Sequence, residues 1–127
     1  MDVKQVIVMR KDLGMRKGKM IAQGAHASMK VLIDRASLTD DALVIPLDAA
    51  TREWLVSGRF TKVCVSVDSE SQLDMVVEQA RAAGLPCAVI VDSGKTEFHG
   101  VPTKTCCAVG PAPADAVDKV TGALSLL

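Results

Sequence analysis

Val6-Ile7-Val8-Met9, followed after a loop by Lys17-Gly18-Lys19-Met20-Ile21-Ala22-Gln23-Gly24-Ala25-His26-Ala27-Ser28-Met29, are the stretches that decide the fold of this chain. The first is a continuous apolar run, the pattern of a strand buried on both faces. The second opens a segment from residue 19 to about residue 36 with apolar residues at Ile21, Ala22, Ala25, Met29, Val31, Leu32 and Ile33, which predicts a helix with a broad buried stripe. Small residues (Ala22, Gly24, Ala25, Ala27, Ser28) let that helix lie close to a sheet. Between the two stretches, Gly14 and Gly18 break a polar loop. A strand, a basic loop and a helix start make a place where backbone N–H groups and lysines can meet a phosphate.

Working outward, residues 39–48, with Pro46, read as a less regular connection, and residues 51–57 as a short helix ended by Gly58. Residues 61–67 are expected to form a second strand. Asp68 or Ser69 then caps a helix through Leu73, Val76, Val77 and Ala80, ended by Ala83-Gly84. Pro86 precedes a third strand at 87–91, and the polar turn Asp92-Ser93-Gly94-Lys95-Thr96 follows it. A fourth strand at about 105–109 ends at Gly110-Pro111, and Pro113 opens a last helix running through Val117 and Val120 to Gly122. This order predicts one α/β domain over residues 1–127, a three-layer α/β/α sandwich around a small mixed sheet.

Composition narrows the function. The chain has 127 residues, 49% of them hydrophobic, which excludes a disordered segment and allows a core without staples. Trp54, Phe60 and Phe98 are the only aromatic residues, which counts against a protein that stacks a run of bases on aromatic platforms. Net charge is zero, yet Lys4, Arg10, Lys11, Arg16, Lys17, Lys19 and Lys30 crowd the first thirty residues against Asp2 and Asp12. Such a local field steers a polyanion; taken alone, a charge run is more simply a solvated face.

Cys64, Cys87, Cys106 and Cys107 have no metal-ligand spacing with one another or with His26 and His99, and Cys106 and Cys107 face opposite ways if they lie on a strand. They read as small hydrophobes, so neither a metal nor another cofactor is expected. With no signal peptide and no apolar run near 18 residues, a reducing cytoplasm is the expected compartment, away from membranes.

Neither a dinucleotide fingerprint nor a Walker loop is present. On a helix, Lys19, Gln23 and His26 share a face and can look into one cleft. A lone helical histidine is more often structural, but the small neighbours and polar partners of His26 bring the two readings level. Asp92 lies just past the carboxyl end of the third strand, where ligands gather in open α/β sheets. It could orient His26 or act on a water directly, with Thr96 donating to an oxyanion. The plainer reading is an Asp-x-Gly turn in which Asp92 accepts from backbone N–H groups.

The segments Lys4–Met15 and Lys17–Ala27, Ala83-Gly84-Leu85-Pro86, Asp92-Ser93-Gly94-Lys95-Thr96-Glu97, Ala108-Val109-Gly110-Pro111-Ala112-Pro113 and Asp118-Lys119-Val120-Thr121-Gly122 together resemble type-2, archaeal/eukaryotic-type peptidyl-tRNA hydrolases, block after block in order. The resemblance implies hydrolysis, without a metal, of the ester joining a peptide to the terminal ribose of tRNA. It also implies a mixed four-stranded sheet and, often, a homodimer. Its functional positions fall on Lys17, Lys19, Gln23, His26, Asp92 and Thr96. The sequence departs from the family pattern at Gly24-Ala25, at Lys95, which keeps a charge but lacks the planar arginine fork, and at Glu97.

These residues predict an ester hydrolase in which Lys11, Arg16, Lys17, Lys19 and Lys95 hold tRNA phosphates, Asp92 and His26 handle the proton, and Gln23 and Thr96 position the ester and its oxyanion. Asp92 is the first choice of base. A non-catalytic RNA- or protein-binding domain of the same fold, or an esterase acting on another acyl ester, are the alternatives.

Overall fold

β1 (Val3–Arg10) is buried at every position but Lys4, and the rest of the chain is arranged around it. The computed structural model describes residues 1–95 and 97–127. β1 pairs in parallel with β4 (Lys62–Val67) on one side and antiparallel with β6 (Thr103–Pro113) on the other. β5 (Cys87–Asp92) pairs antiparallel with β6. Among the described residues the main sheet is therefore mixed, with four strands in the order β4-β1-β6-β5. Three of them run one way, and β6 runs against them.

Period-two alternation splits β1 between two cores. Val6 and Val8 pack with Leu73, Val76, Val77 and Ala80 of α3 (Glu70–Ala82) and with Val117 of α4 (Ala114–Thr121). Ile7 and Met9 pack with Ala27 and Val31 of α1 (Lys17–Ile33). Two helices cover one face and α1 the other, which is the three-layer sandwich expected. Cys106 and Cys107 point to opposite faces, one into each core, as expected. Burial pushes the Cys106 thiol up to about 11, which fits a packing side chain and not a nucleophile. Cys64, by contrast, is exposed on β4.

α3 is capped as expected: the Ser69 hydroxyl accepts from the Gln72 N–H at 3.1 Å. α1 starts two residues earlier than the sequence suggests and stops at Ile33.

Three elements correct the sequence reading. β6 does not end at Gly110-Pro111 but continues to Pro113, still paired with β1. The interruption is absorbed by an irregularity in register beside Gln5, whose Nε2 donates to the Gly110 carbonyl at 3.1 Å. Gly110 has φ of 95°, and a Cβ there would lie 2.5 Å from the Lys4 carbonyl oxygen, so only glycine fits. Within residues 39–48 lies half of a small exposed hairpin, β2 (Ser37–Leu38) with β3 (Leu43–Val44). The helix expected at 51–57 begins earlier as α2 (Ala49–Arg52), capped by Asp48, and continues as a π-helical turn (Glu53–Ser57) up to Gly58. In addition, the chain's last residues cover the outer edge of β4: Ser66 N–H donates to the Ser125 carbonyl at 2.9 Å and Leu127 N–H to the Cys64 carbonyl at 3.1 Å.

The carboxyl ends of β1, β4 and β5 share one edge of the sheet, and α1 begins there, directly after the loop that leaves β1. That edge carries the polar side chains expected to act.

Candidate active site

Asp92, the last residue of β5, meets the first turns of α1 at this edge. Its Oδ1 accepts from Lys19 Nζ at 2.9 Å and from Gln23 Nε2 at 3.4 Å, and its Oδ2 accepts from the Gly94 N–H at 2.9 Å. Both the local Asp-x-Gly turn and the long-range pairing with α1 are therefore real. The Asp92 side chain is 12% exposed and the Lys19 side chain 15%, so the pair is largely shielded from solvent. Lys19 holds the Asp92 carboxyl below the usual carboxylate range; burial opposes this, and the Gly94 and Gln23 donors reinforce it.

The lysine and glutamine are placed by helical spacing: four residues apart, they look to the same side of α1. Gln23 is buried and held from behind. Its Oε1 accepts from the Thr105 hydroxyl on β6, and its backbone carbonyl accepts from the Cys106 thiol at 3.3 Å. The Phe98 ring lies beyond the lysine, its centroid 5.9 Å from Lys19 Nζ. Below the loop after β1, Arg10 donates through Nε and Nη2 to Asp12 at 3.1 and 2.7 Å and through Nη1 to the Lys104 carbonyl at 3.0 Å. That fork ties the start of the basic loop to β6.

Residues 3–127 match the family model described as peptidyl-tRNA hydrolase PTH2. The chain belongs to that family.

Its relatives cover it end to end. A peptidyl-tRNA hydrolase from Methanocaldococcus jannaschii is 42% identical, over 98% of this chain and all of that protein. One from Halobacterium salinarum is 45% identical over 98% of this chain and 99% of its own length, and one from Metallosphaera sedula 41% over 98% and 100%. Among solved structures, a protein of unknown function from Agrobacterium tumefaciens strain C58 superposes with a TM-score of 0.62 at 13% identity, covering 100% of this chain and 98% of that one. That likeness is one of fold.

Of the residues expected to act in a PTH2 hydrolase, the structure brings Lys19, Gln23 and Asp92 together. His26 is exposed on α1, and the described donors to Asp92 are Lys19, Gln23 and Gly94. Thr96 lies outside the described residues. Arg16, Lys17 and Lys95 are exposed, as is Lys11, whose Nζ is 3.4 Å from Asp68 in a solvated pair. Among the described residues, no three His, Cys, Asp or Glu side chains converge as a metal site would require, and no helix is long and apolar enough to cross a membrane. Sequence reading missed Thr105 and Phe98. Thr105 sits in an apolar strand, where a lone hydroxyl gives no signal of its partner, and Phe98 lies in a turn whose path cannot be read from residue types.

Proposed function

We propose that this hydrolase cleaves the ester between a peptide and the 3′-terminal ribose of tRNA at the Lys19–Gln23–Asp92 cluster. The observation that carries the reading is the shielded Lys19–Asp92 pair at the carboxyl edge of the sheet, in a chain of the peptidyl-tRNA hydrolase family. Oδ1 of Asp92 is occupied by Lys19 and Gln23. Oδ2, which accepts from Gly94 among the described residues, has a lone pair left for a water. That water attacks the ester carbonyl as Asp92 takes its proton. The tetrahedral oxyanion forms beside the Lys19 ammonium, collapse breaks the bond to the ribose oxygen, and the proton passes to that oxygen. Because Lys19 lowers the basicity of Asp92, the carboxylate stays ionised at neutral pH, and its contribution lies in aligning the water as much as in accepting the proton. Thr96 is a candidate second donor to the oxyanion. The exposure of His26 further along α1 favours a contact with substrate over a role in orienting Asp92.

Lys11 and Arg16 on the loop after β1, Lys17 at the start of α1 and Lys95 in the turn after β5 are exposed on the segments that bear the cluster, and they supply a sequence-independent grip on tRNA phosphates. Release of free tRNA from N-acetyl-aminoacyl-tRNA tests the reading. Turnover by the unmodified protein that falls at least a hundredfold in Asp92→Asn supports it. Tight tRNA binding without turnover would make the chain a binding domain, and unchanged turnover in Asp92→Asn would move the reaction elsewhere.

Two finer features belong to the same reading. A translation-linked substrate and four free thiols favour the cytoplasm. A homodimer is favoured by an apolar groove of about 640 Å³ between α1 and β4, lined by Ile21, Ala25, Met29, Phe60 and Cys64 with Lys17 and Lys62 among its walls. The β2–β3 hairpin of a second copy is its natural occupant: Leu38 is 82% exposed, and Asp40 and Asp41 at the tip complement the two lysines.

A further inference from the structure

The chain has few rings, and where they lie is informative. Trp54 and Phe60 pack on each other with centroids 4.5 Å apart, and Lys62 lies over both, where β4 begins and away from Asp92. Phe98 and His99, in contrast, fall in the turn that joins β5 to β6, immediately after the Asp92 segment. Phe98 is half-buried against the α1-side core, on which Leu13 and Met20 also pack, and His99 is exposed. The Phe98 ring lies 5.9 Å from the Lys19 ammonium, which is itself 2.9 Å from Asp92 Oδ1.

The turn is held in an uncommon shape. Phe98 and His99 have φ of 64° and 51°, consecutive left-handed positions without glycine. Gly100 N–H donates to the Gly94 carbonyl at 2.8 Å, Val101 N–H to the Phe98 carbonyl at 2.9 Å, and Gly94 abuts Val101 so closely that a Cβ would lie 2.4 Å from its carbonyl oxygen. Strain of this kind persists where surrounding structure enforces it, and it gathers at ligand-holding sites. The result is one partly exposed aromatic ring a single ammonium away from the reacting carboxylate, with an exposed imidazole next to it in the chain.

We propose that Phe98 and His99 form the stacking platform for the base of the substrate's 3′-terminal nucleoside, which places its ribose ester at Asp92. This rests on Asp92 being the reaction centre. A nucleoside whose ribose oxygen carries the scissile ester presents its base one sugar away from the carbonyl, and the Phe98 ring lies within that reach of Asp92, with exposed His99 following it in the turn. Stacking is the base contact available to the Phe98 ring and is open to the His99 imidazole as well, and it holds a base without reading its identity. The scarcity of other rings confines the platform to a single base, while phosphate contacts supply the remaining affinity.

The test compares N-acetyl-aminoacyl-tRNA with the terminal base intact and with that base removed, using the unmodified protein, Phe98→Leu, Phe98→Trp and His99→Ala. Phe98→Leu keeps an apolar side chain in the core and removes only the ring. The expected result is a KM about tenfold higher for Phe98→Leu and His99→Ala on the intact substrate, with kcat within twofold, recovery in Phe98→Trp, and no change on the base-free substrate. Equal losses on both substrates would show a merely structural role, and unchanged KM values would remove the platform; either overturns the proposal. Absence of turnover by the unmodified protein on either substrate would instead sink the active-site reading, and the platform with it.

Discussion

The Thr105 hydroxyl donates to Gln23 Oε1, and this fixes which end of the Gln23 amide faces Asp92. A carboxylate only accepts, so the Gln23 NH₂ must face it, and a donor behind the Gln23 oxygen locks that orientation. Thr105→Val keeps the shape of the side chain and removes the hydroxyl. The buried Gln23 oxygen then lacks its donor, at a cost of about 1–3 kcal/mol in stability, and the amide is free to turn. We expect kcat to fall about tenfold with KM little changed, and Thr105→Ser to restore it. Steady-state kinetics of the three proteins decide this; a change confined to KM would contradict it.

The depressed Asp92 carboxyl makes a prediction about acid. A group whose folded pKa is lowered contributes stability that is present above its unfolded value, about 3.9, and is lost as pH falls through the folded value. Asp92→Asn is therefore expected to be less stable than the unmodified protein between pH 5 and 7, with the gap closing as pH drops below about 4. Urea midpoints across that range measure it. A gap that persists undiminished at pH 3 would mean that the Lys19 pairing does not shift Asp92. In kcat/KM, Asp92 should contribute no acid limb from pH 5 to 7.

How much of this was legible in the sequence depends on range. β1, α1 and α3 declare themselves locally, through an apolar run, a 3.6-residue stripe and a serine cap. The meeting of Lys19, Gln23 and Asp92 was accessible because helical spacing and the strand-end rule are both general. The extent of β6 was not: Gly110-Pro111 is a local stop signal, and it is overridden because β6 is paired on both sides and Gln5 seals the irregularity. The covering of β4 by residues 125–127 and the approach of Phe98 to Lys19 depend on tertiary paths that leave no periodic trace.

If the basic edge grips phosphates, affinity must depend on salt. Arg16→Ala and Lys95→Ala, both at exposed positions, should each weaken tRNA binding and lower the slope of log Kd against log salt by about one. Lys11 should behave likewise, since its pairing with Asp68 is solvated and worth little. Lys30→Ala, whose lysine pairs with Asp34 one turn along the far end of α1, is the control and should leave the slope unchanged. Equal slopes for all four variants would mean that tRNA approaches another face.

Gly94 serves the site through its backbone. Its N–H holds Asp92 Oδ2, its φ is 81°, and a Cβ would collide with Val101. Gly94→Ala must therefore push the two arms of the turn apart, displacing both the Asp92 donor and Phe98. A loss of about a hundredfold in kcat/KM is expected, while the core on the α3 and α4 side of the sheet, which the turn does not touch, keeps the protein folded. Circular dichroism beside kinetics separates this from general unfolding. Activity within twofold of the unmodified protein would show that the turn does not set the carboxylate.

The groove between α1 and β4 offers a test of assembly. Met29 is 57% exposed and lines that groove, so Met29→Glu should be tolerated by a monomer and should break a dimer whose partner hairpin sits there. Sedimentation equilibrium should give twice the chain mass for the unmodified protein and a monomer for Met29→Glu. Cys64, exposed in the same groove, allows a direct trap. In Leu38→Cys, mild oxidation should link the hairpin thiol of one copy to Cys64 of the other, giving a dimer on a non-reducing gel that disappears when Cys64→Ser is added. A monomeric unmodified protein, or a dimer indifferent to Met29→Glu and untrapped by Leu38→Cys, would place the contact elsewhere or remove it.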